Sequence, residues 1–391
     1  MSPAIDRRRF LALAAAAPAL LQAGDGSVVT VAVVGHTGRG DYGHGLDTVW
    51  LKVPQARIVA VSDPDLAGRK VAEVRLQAAV GKGVDGIASF ADPVAMFRKV
   101  RPQVVAVCPR HIGAHAEVIL AAIDAGVKGL YVEKPFVRTL AEADAVIAAC
   151  RAKGVRLAIA HRNRYHPALD VAVKLVSAGE FGAVREVRVR GKQDHRGGGL
   201  DLWVLGGHGF NLATQFTGAP VSCQAKVLRE GRPALRSDVV QGDEGVGPIV
   251  GDEIHAAYET KSGIPLFFDS KKGLWDKKEG FGVRVVCEKA TLDLRVDEEP
   301  LIHVVRDGKR TPLTSTGVGV PEPIKDVRAL VAGHQAVVRD LLDCMRQGRE
   351  PLCGPEAGRE TVEMITAVFA SFAADGAKVE LPLRGREHPL S

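Results

Sequence analysis

Aromatic side chains make up only 5% of this chain, and its lysines and arginines are interspersed with aspartates and glutamates instead of forming a basic stripe. A nucleic-acid surface needs such a stripe together with stacking rings, so DNA and RNA are excluded as partners. Long hydrophobic runs are also missing. The apolar stretch from Leu11 to Leu21 falls well short of the ~20 residues a membrane helix requires, and no later run is long enough to span. Beyond the N-terminal segment there is no low-complexity tract and no internal repeat. Cysteine supplies no evident framework. There are six, but Cys108 and Cys287 lie inside apolar runs typical of buried strands and read as buried thiols. Cys344 and Cys353 are close enough in sequence to pair, although spacing alone does not bring two Cα atoms within bonding range.

What is present is a chain of 391 residues with 46% hydrophobic composition, too long for one small core and too apolar for disorder. Two packed globular domains follow. The start reads differently. Asp6-Arg7-Arg8-Arg9-Phe10-Leu11 leads into the short apolar stretch, the pattern of a signal segment over 1–23, and it resembles a twin-arginine export signal with Asp6 where Ser or Thr is usual. Cleavage after Ala17-Pro18-Ala19 and cleavage near Ala23 both remain open. The expected location is periplasmic or extracellular, with no membrane contact after export. Loss of the segment lowers the formal charge from +6 to about +4, leaving small polar ligands as natural partners.

Val28 to Gly35 is a continuous run of β-branched and small apolar residues, suited to a strand buried on both faces of a parallel sheet. A helix is expected from about Tyr42. The unit then recurs, with strands at Arg57 to Val61, Val104 to Val107, Gly129 to Val132 and Arg156 to Ala160, and helices at Leu66 to Val80, Gly113 to Ala125 and Leu140 to Lys153. Such alternation forces right-handed crossovers and a doubly wound α/β Rossmann domain over 28–162. After Pro167 a helix to Ala178 precedes strands at Val184 to Arg190, Cys223 to Leu228, Glu253 to Thr260, Pro265 to Ser270, Arg284 to Glu288 and Thr291 to Val296. These describe an α+β domain over 163–391 with a mainly antiparallel open sheet. Helices Asp326 to Gln347 and Glu356 to Ala374 close the chain, the last expected to pack back on the first domain.

Gly35-His36-Thr37-Gly38-Arg39-Gly40 follows the first strand, the context a phosphate-binding turn requires. Gly35 supplies the tight turn and Gly40 a close strand–helix approach. Thr37 stands where the middle glycine is usual, with Gly38 one place later. Asp63 ends the second strand, where a carboxylate accepts from the adenosine ribose hydroxyls and repels a 2′-phosphate. NAD is therefore expected in preference to NADP.

Three further segments carry a resemblance: Cys108-Pro109-Arg110-His111 with His115, Glu133-Lys134-Pro135, and Arg164-Tyr165-His166-Pro167. With them the chain resembles the glucose–fructose oxidoreductase, inositol dehydrogenase and rhizopine-catabolism family over nearly its whole mature length. The resemblance implies that Lys134 lies beside the nicotinamide and hydrogen-bonds the substrate hydroxyl, and that Glu133, Pro109 and His115 border the cofactor. It also matches His208 to the family's catalytic His, but Val204 stands four residues earlier where the family has Asp. Asp201 does not substitute, since seven helical residues put it about 10 Å away along the axis. No metal is expected, because His111 and His115, although spaced i, i+4, lack a companion ligand. Arg162, Arg164, Tyr165, His195 and Trp203 offer the polar groups and flat face that bind sugars.

The function implied is an exported NAD-dependent oxidoreductase acting on a sugar by hydride transfer. Outside the cytoplasm little free cofactor is available to exchange, which favours a redox-neutral cycle on tightly bound NAD. An NAD-dependent glycosidase of the same fold and a non-catalytic dinucleotide- or sugar-binding relative are the alternatives. A homo-oligomer built on the broad C-terminal sheet is common in such proteins.

Overall fold

The computed structural model of the chain describes residues 28–78, 86–318 and 326–391. The segment 1–23, expected to be a signal, and the end of the expected Leu66 to Val80 helix, at 79–80, lie outside the described residues. Strands β1 (Val29–Val34), β2 (Ala56–Ser62), β3 (Ala88–Phe90), β4 (Val104–Val107), β5 (Gly129–Val132) and β6 (Arg156–Ile159) form a parallel sheet in the order β3-β2-β1-β4-β5-β6. The order reverses between β1 and β4, the switch point where doubly wound sheets bind ligands. Every position of β4 and β5 is buried, so both read as unbroken apolar runs. β3 is not among the expected strands, because its three residues, Ala-Ser-Phe, carry no such run. Helices α1 (Leu66–Ala78), α2 (Pro93–Val100), α3 (His115–Asp124) and α4 (Leu140–Lys153) make the crossovers.

The second domain opens with α5 (Pro167–Ser177) and includes α6 (Gly207–Thr217), entered through a short helix at Gly198–Asp201 and a π-turn at Leu202–Gly206. Its main strands are β7 (Val184–Arg190), β8 (Pro220–Arg229), β9 (Glu253–Thr260), β10 (Leu266–Lys271), β11 (Gly282–Cys287), β12 (Thr291–Arg295), β13 (Ile302–Arg306) and β14 (Lys309–Thr314). They lie in the order β14-β13-β12-β11-β7-β10-β9-β8, antiparallel except for the central β7–β10 pair. Helices α7 (Gln335–Gln347) and α8 (Pro355–Ala373) close the chain. All six cysteines are buried free thiols, so Cys344 and Cys353 do not pair.

The β1–β2 connection departs from expectation. No α-helix begins near Tyr42; turns lead instead to one 3₁₀ turn, Val49–Lys52. Gly38, Gly40, Gly43 and Gly45 have φ of 79°, 87°, 63° and 92°, whereas a helix needs about −63°. The sheet face left open is covered from the other end of the chain. Val337, Val338, Leu341 and Leu342 of α7 join Val49, Trp50 and Tyr131 in one buried cluster. α8 packs on α4, β6, α6 and β8, so both terminal helices tie the domains together.

Candidate active site

The turn after β1 meets the turn after β4 by close backbone contact. A Cβ on Gly40 would lie 2.4 Å from the backbone nitrogens of Arg110 and His111, and the Gly40 carbonyl accepts from Arg110 N at 3.1 Å. The close approach is therefore to this turn and not to a helix. Gly35 makes room for the Tyr42 ring, which a Cβ would meet at 2.2 Å. Gly38 faces open space, with nothing within 4 Å of a Cβ position, and Arg39 is exposed beside it. The open space at Gly38 and the exposed Arg39, at the carboxyl end of β1, leave room for a dinucleotide pyrophosphate, while the amides of Gly35 to Arg39 are engaged within the protein.

Two expected cofactor contacts are engaged within the protein. Asp63 is fully buried, and its carboxylate accepts from Thr37 N at 3.0 Å, Thr37 Oγ1 at 2.7 Å and Asp65 N at 2.9 Å. It thus braces the phosphate turn, and in this conformation it is not open to a ribose hydroxyl. His115 is also buried, with Nε2 2.7 Å from the Pro109 carbonyl and Nδ1 3.0 Å from that of Phe136. It staples the turn after β4 to the turn after β5 from behind, and so supports the cofactor site instead of lining it.

Lys134 and His208 come together. Lys134, 7% exposed at the end of β5, donates from Nζ to the Val204 carbonyl at 3.2 Å. The position that lacks the expected Asp therefore contributes a backbone acceptor, presented by the π-turn at Leu202–Gly206. His208 sits in the first turn of α6, its ring edge-on to that of His161 at 5.6 Å between centroids. His161 follows β6, and its place at a strand end is the only sequence signal for its role. Among the described residues, neither ring nitrogen of His161, nor His208 Nδ1, nor Glu133 Oε2 has a hydrogen-bond partner, although all are buried. Glu133 Oε1 accepts from Lys134 N at 3.1 Å and faces His44 Nδ1 at 3.4 Å. Burial opposes ionisation of Glu133, but His44 and Lys134 hold its carboxyl at about 2. Burial, then Lys134, depresses His161 to about 4 and drives His208 well below the usual imidazole range, while burial lowers Lys134. The cluster thus offers a neutral imidazole and a lysine ammonium around groups that lack partners, the elements of proton transfer at a hydroxyl.

The sugar-binding expectations divide. Arg162 borders the cluster, donating from Nε to Asp297 Oδ1 at 3.1 Å and from NH1 to the Ala332 carbonyl at 3.0 Å. Tyr165 turns away: its hydroxyl donates to Asp340 at 3.0 Å and accepts from Cys353 N at 3.2 Å, bracing α7. Arg164 is half-buried, burial lowers its pKa, and its guanidinium has no hydrogen bond to the cluster among the described residues. Trp203 is a core residue, fully buried and stacked 6.1 Å from His388, as its apolar neighbours Leu202, Val204 and Leu205 require. The His195 side chain is 83% exposed, beside Asp194. Asp201 is buried, accepting from Gln193 N at 2.9 Å and Ser270 Oγ at 2.6 Å, so it organises the glycine-rich loop and plays no part at His208. Asp297 and Asn163 belong to the site and carry no local sequence signal.

Comparison with known proteins agrees with the two-domain fold. Residues 29–161 match the model of an oxidoreductase family with an NAD-binding Rossmann fold, and 173–381 match that family's C-terminal α/β domain. A D-apiose dehydrogenase of Paraburkholderia graminis is 26% identical over 360 residues, covering 87% of each chain. An oxidoreductase domain protein from Kribbella flavida superposes with a TM-score of 0.70 at 20% identity, over 91% of this chain and all of that one. A levoglucosan dehydrogenase solved with NADH and levoglucosan does so at 0.67 and 17%, with the same coverage.

Proposed function

The chain belongs to this oxidoreductase family and has its NAD-binding domain, and on that premise we propose that it oxidises a hydroxyl-bearing carbon of a sugar or polyol, with Lys134 and His208 meeting the reacting hydroxyl. The observation that carries the reading is the group of buried polar atoms without partners around Lys134, on His161, His208 and Glu133. Buried polar groups left open in this way are costly unless a ligand completes them. NAD bound at the switch point supplies the hydride acceptor. Lys134 Nζ, held by the Val204 carbonyl, points a donor at the substrate oxygen, and neutral His208 takes its proton. Glu133 balances the lysine charge. The names of the D-apiose and levoglucosan dehydrogenases support a carbohydrate as the substrate class.

Export of the folded, NAD-loaded protein is supported by Arg7 and Arg8 ahead of the short apolar stretch. A cofactor unable to exchange after export favours redox-neutral turnover, in which a second carbohydrate carbon is reduced before release.

The test compares wild type with Lys134→Ala, both saturated with NAD, in single-turnover absorbance at the nicotinamide band during a screen of sugars and polyols. NAD affinity is expected to stay within about twofold, because no contact to the phosphate turn is removed, while substrate-dependent reduction falls a hundredfold or more. An undiminished rate in Lys134→Ala refutes the site. Reduction that reverses within one turnover marks the redox-neutral cycle, and lasting NADH marks net oxidation.

A further inference from the structure

The loop between β12 and β13 is docked onto the 3₁₀ turn that follows β6. Asp297 Oδ1 accepts from Arg162 Nε at 3.1 Å, Arg162 NH2 at 2.9 Å and Asn163 Nδ2 at 3.0 Å, and Asp297 N donates to Asn163 Oδ1 at 3.4 Å. Two residues on, Glu299 Oε2 meets His166 Nε2 at 3.1 Å. These bonds hold Asp297 at φ 63°, a left-handed conformation that Asp tolerates better than most residues. The turn to which it is tied begins at His161, whose ring lies against His208. Asp297 is thus fixed beside the candidate proton acceptor by a segment far away in sequence.

Its two oxygens are used unequally. Every contact that its carboxylate makes above ends on Oδ1, and Oδ2 has no partner among the described residues. The side chain keeps 36% exposure, although Asn163 beneath it is buried. A carboxylate accepts about four hydrogen bonds, so Oδ2 remains able to take hydroxyl donors. The nearby guanidinium groups, in contrast, are paired with carboxylates, and the Lys134 ammonium spends one donor on a backbone carbonyl. Arg162 is paired with Asp297, Arg196 donates to Asp194 from Nε at 2.9 Å and from NH2, and Lys134 Nζ donates to Val204. Glu133 and Glu244 add further negative charge that reaches Lys134.

We propose that Asp297 is a substrate-contacting, specificity-determining carboxylate, whose free Oδ2 accepts from substrate hydroxyls and makes the cleft select neutral polyols and aldoses over sugar acids. The inference rests on the carbohydrate reading above. Its field reaches both halves of the catalytic pair, since Asp297 opposes the lowering of Lys134 and of His208. A substrate carboxylate placed there meets the like charges of Asp297, Glu133 and Glu244, which outnumber the single ammonium of Lys134.

Isothermal titration of the NADH-saturated protein at neutral pH tests this without turnover. The probes are D-glucose, D-xylose, D-apiose and myo-inositol against D-glucuronate, D-galacturonate and D-gluconate. Wild type is expected to bind its best neutral ligand at least tenfold more tightly than any acid, Asp297→Asn to narrow that ratio at least tenfold, and Asp297→Glu to keep most of it. Equal or tighter binding of an acid by wild type overturns the assignment of Asp297, as does an unchanged ratio in Asp297→Asn. Should Asp297→Asn fail to fold, the wild-type ratio decides alone. No binding by any probe, with NADH still bound, overturns the carbohydrate reading, and the inference falls with it.

Discussion

A proton acceptor must be neutral before it acts, and His208 meets that condition through its surroundings. Burial first, then Lys134, push its imidazole well below 6.5, while Asp297 pulls it part of the way back. A base of this kind works above its pKa and is lost as pH falls through it. Substrate-dependent NAD reduction should therefore stay flat across neutral pH and decline only well below 6.5. In Asp297→Asn the decline should move further toward acid, and His208→Gln should remove the acid limb together with about a hundredfold or more of the rate. Single-turnover rates between pH 4.5 and 8 check this, and a wild-type midpoint at or above 6.5 contradicts the assignment. Lys134 and His208 are legible in the sequence because each sits in a motif at an element's end. Asp297 is not, because its hydrogen-bonding partners Arg162 and Asn163 precede it by 135 and 134 residues and no local pattern marks it. Trp203 misleads in the opposite sense: glycines nearby suggest an open loop, yet its apolar neighbours go into the core with it.

Among the elements, the β1–β2 connection shows how a motif can be read while its setting is not. Gly35 to Gly40 lies at the end of β1 as a phosphate turn should, but the four positive-φ glycines from 38 to 45 exclude the helix that normally follows. Glycine spacing reveals that a turn is required; it does not reveal how far the turns continue. The exposed flank becomes the seat of α7, whose apolar stripe is legible but whose partner in space is not. Leu341 is fully buried at this seam. Leu341→Ala should cost about 2–5 kcal/mol, the usual range for a large-to-small change in a packed core. Because α7 contributes to the Rossmann core, the loss should appear in urea unfolding followed by NADH fluorescence as well as by circular dichroism. Early unfolding seen by dichroism alone, with NADH release unchanged, shows that α7 is not part of that core.

For the whole molecule, the question is what holds the two domains in register around Lys134 and His208. The final residues act as a clasp. The Arg386 carbonyl accepts from Ala141 N at 3.0 Å, and Arg386 Nε lies 3.3 Å from Asp144 Oδ2, both partners on α4 of the first domain. Leu383 N donates to Glu363 of α8 at 2.9 Å. His388 then inserts beside Trp203, at the π-turn that presents Val204, and lies 5.6 Å from Phe369. The doubly wound order and the antiparallel sheet follow from hydrophobic periodicity, but this clasp does not, because a short polar tail ending His-Pro-Leu-Ser has no period to read. Burial lowers His388 to about 4, and its Nε2 has no hydrogen-bond partner among the described residues. An unfolded chain, with histidine near 6.5, binds the proton more readily between those values, so stability rises with pH across this window and is lost as pH falls from 6.5 toward 4. The part due to His388 is on the order of 2 kcal/mol between pH 7 and pH 5. His161 and His334, also lowered to about 4, act in the same direction. His388→Phe keeps a flat ring against Trp203 but cannot take the proton. It should lose some stability at pH 7, where the Leu390 N–H no longer finds the His388 Nδ1 acceptor, yet fall less steeply with acid than wild type. Urea midpoints at pH 7 and pH 5 for both proteins measure the difference. Parallel decline in the two would place the acid sensitivity with His161 at the active site and with His334, whose Nδ1 meets the Tyr131 hydroxyl, and leave the clasp indifferent to pH.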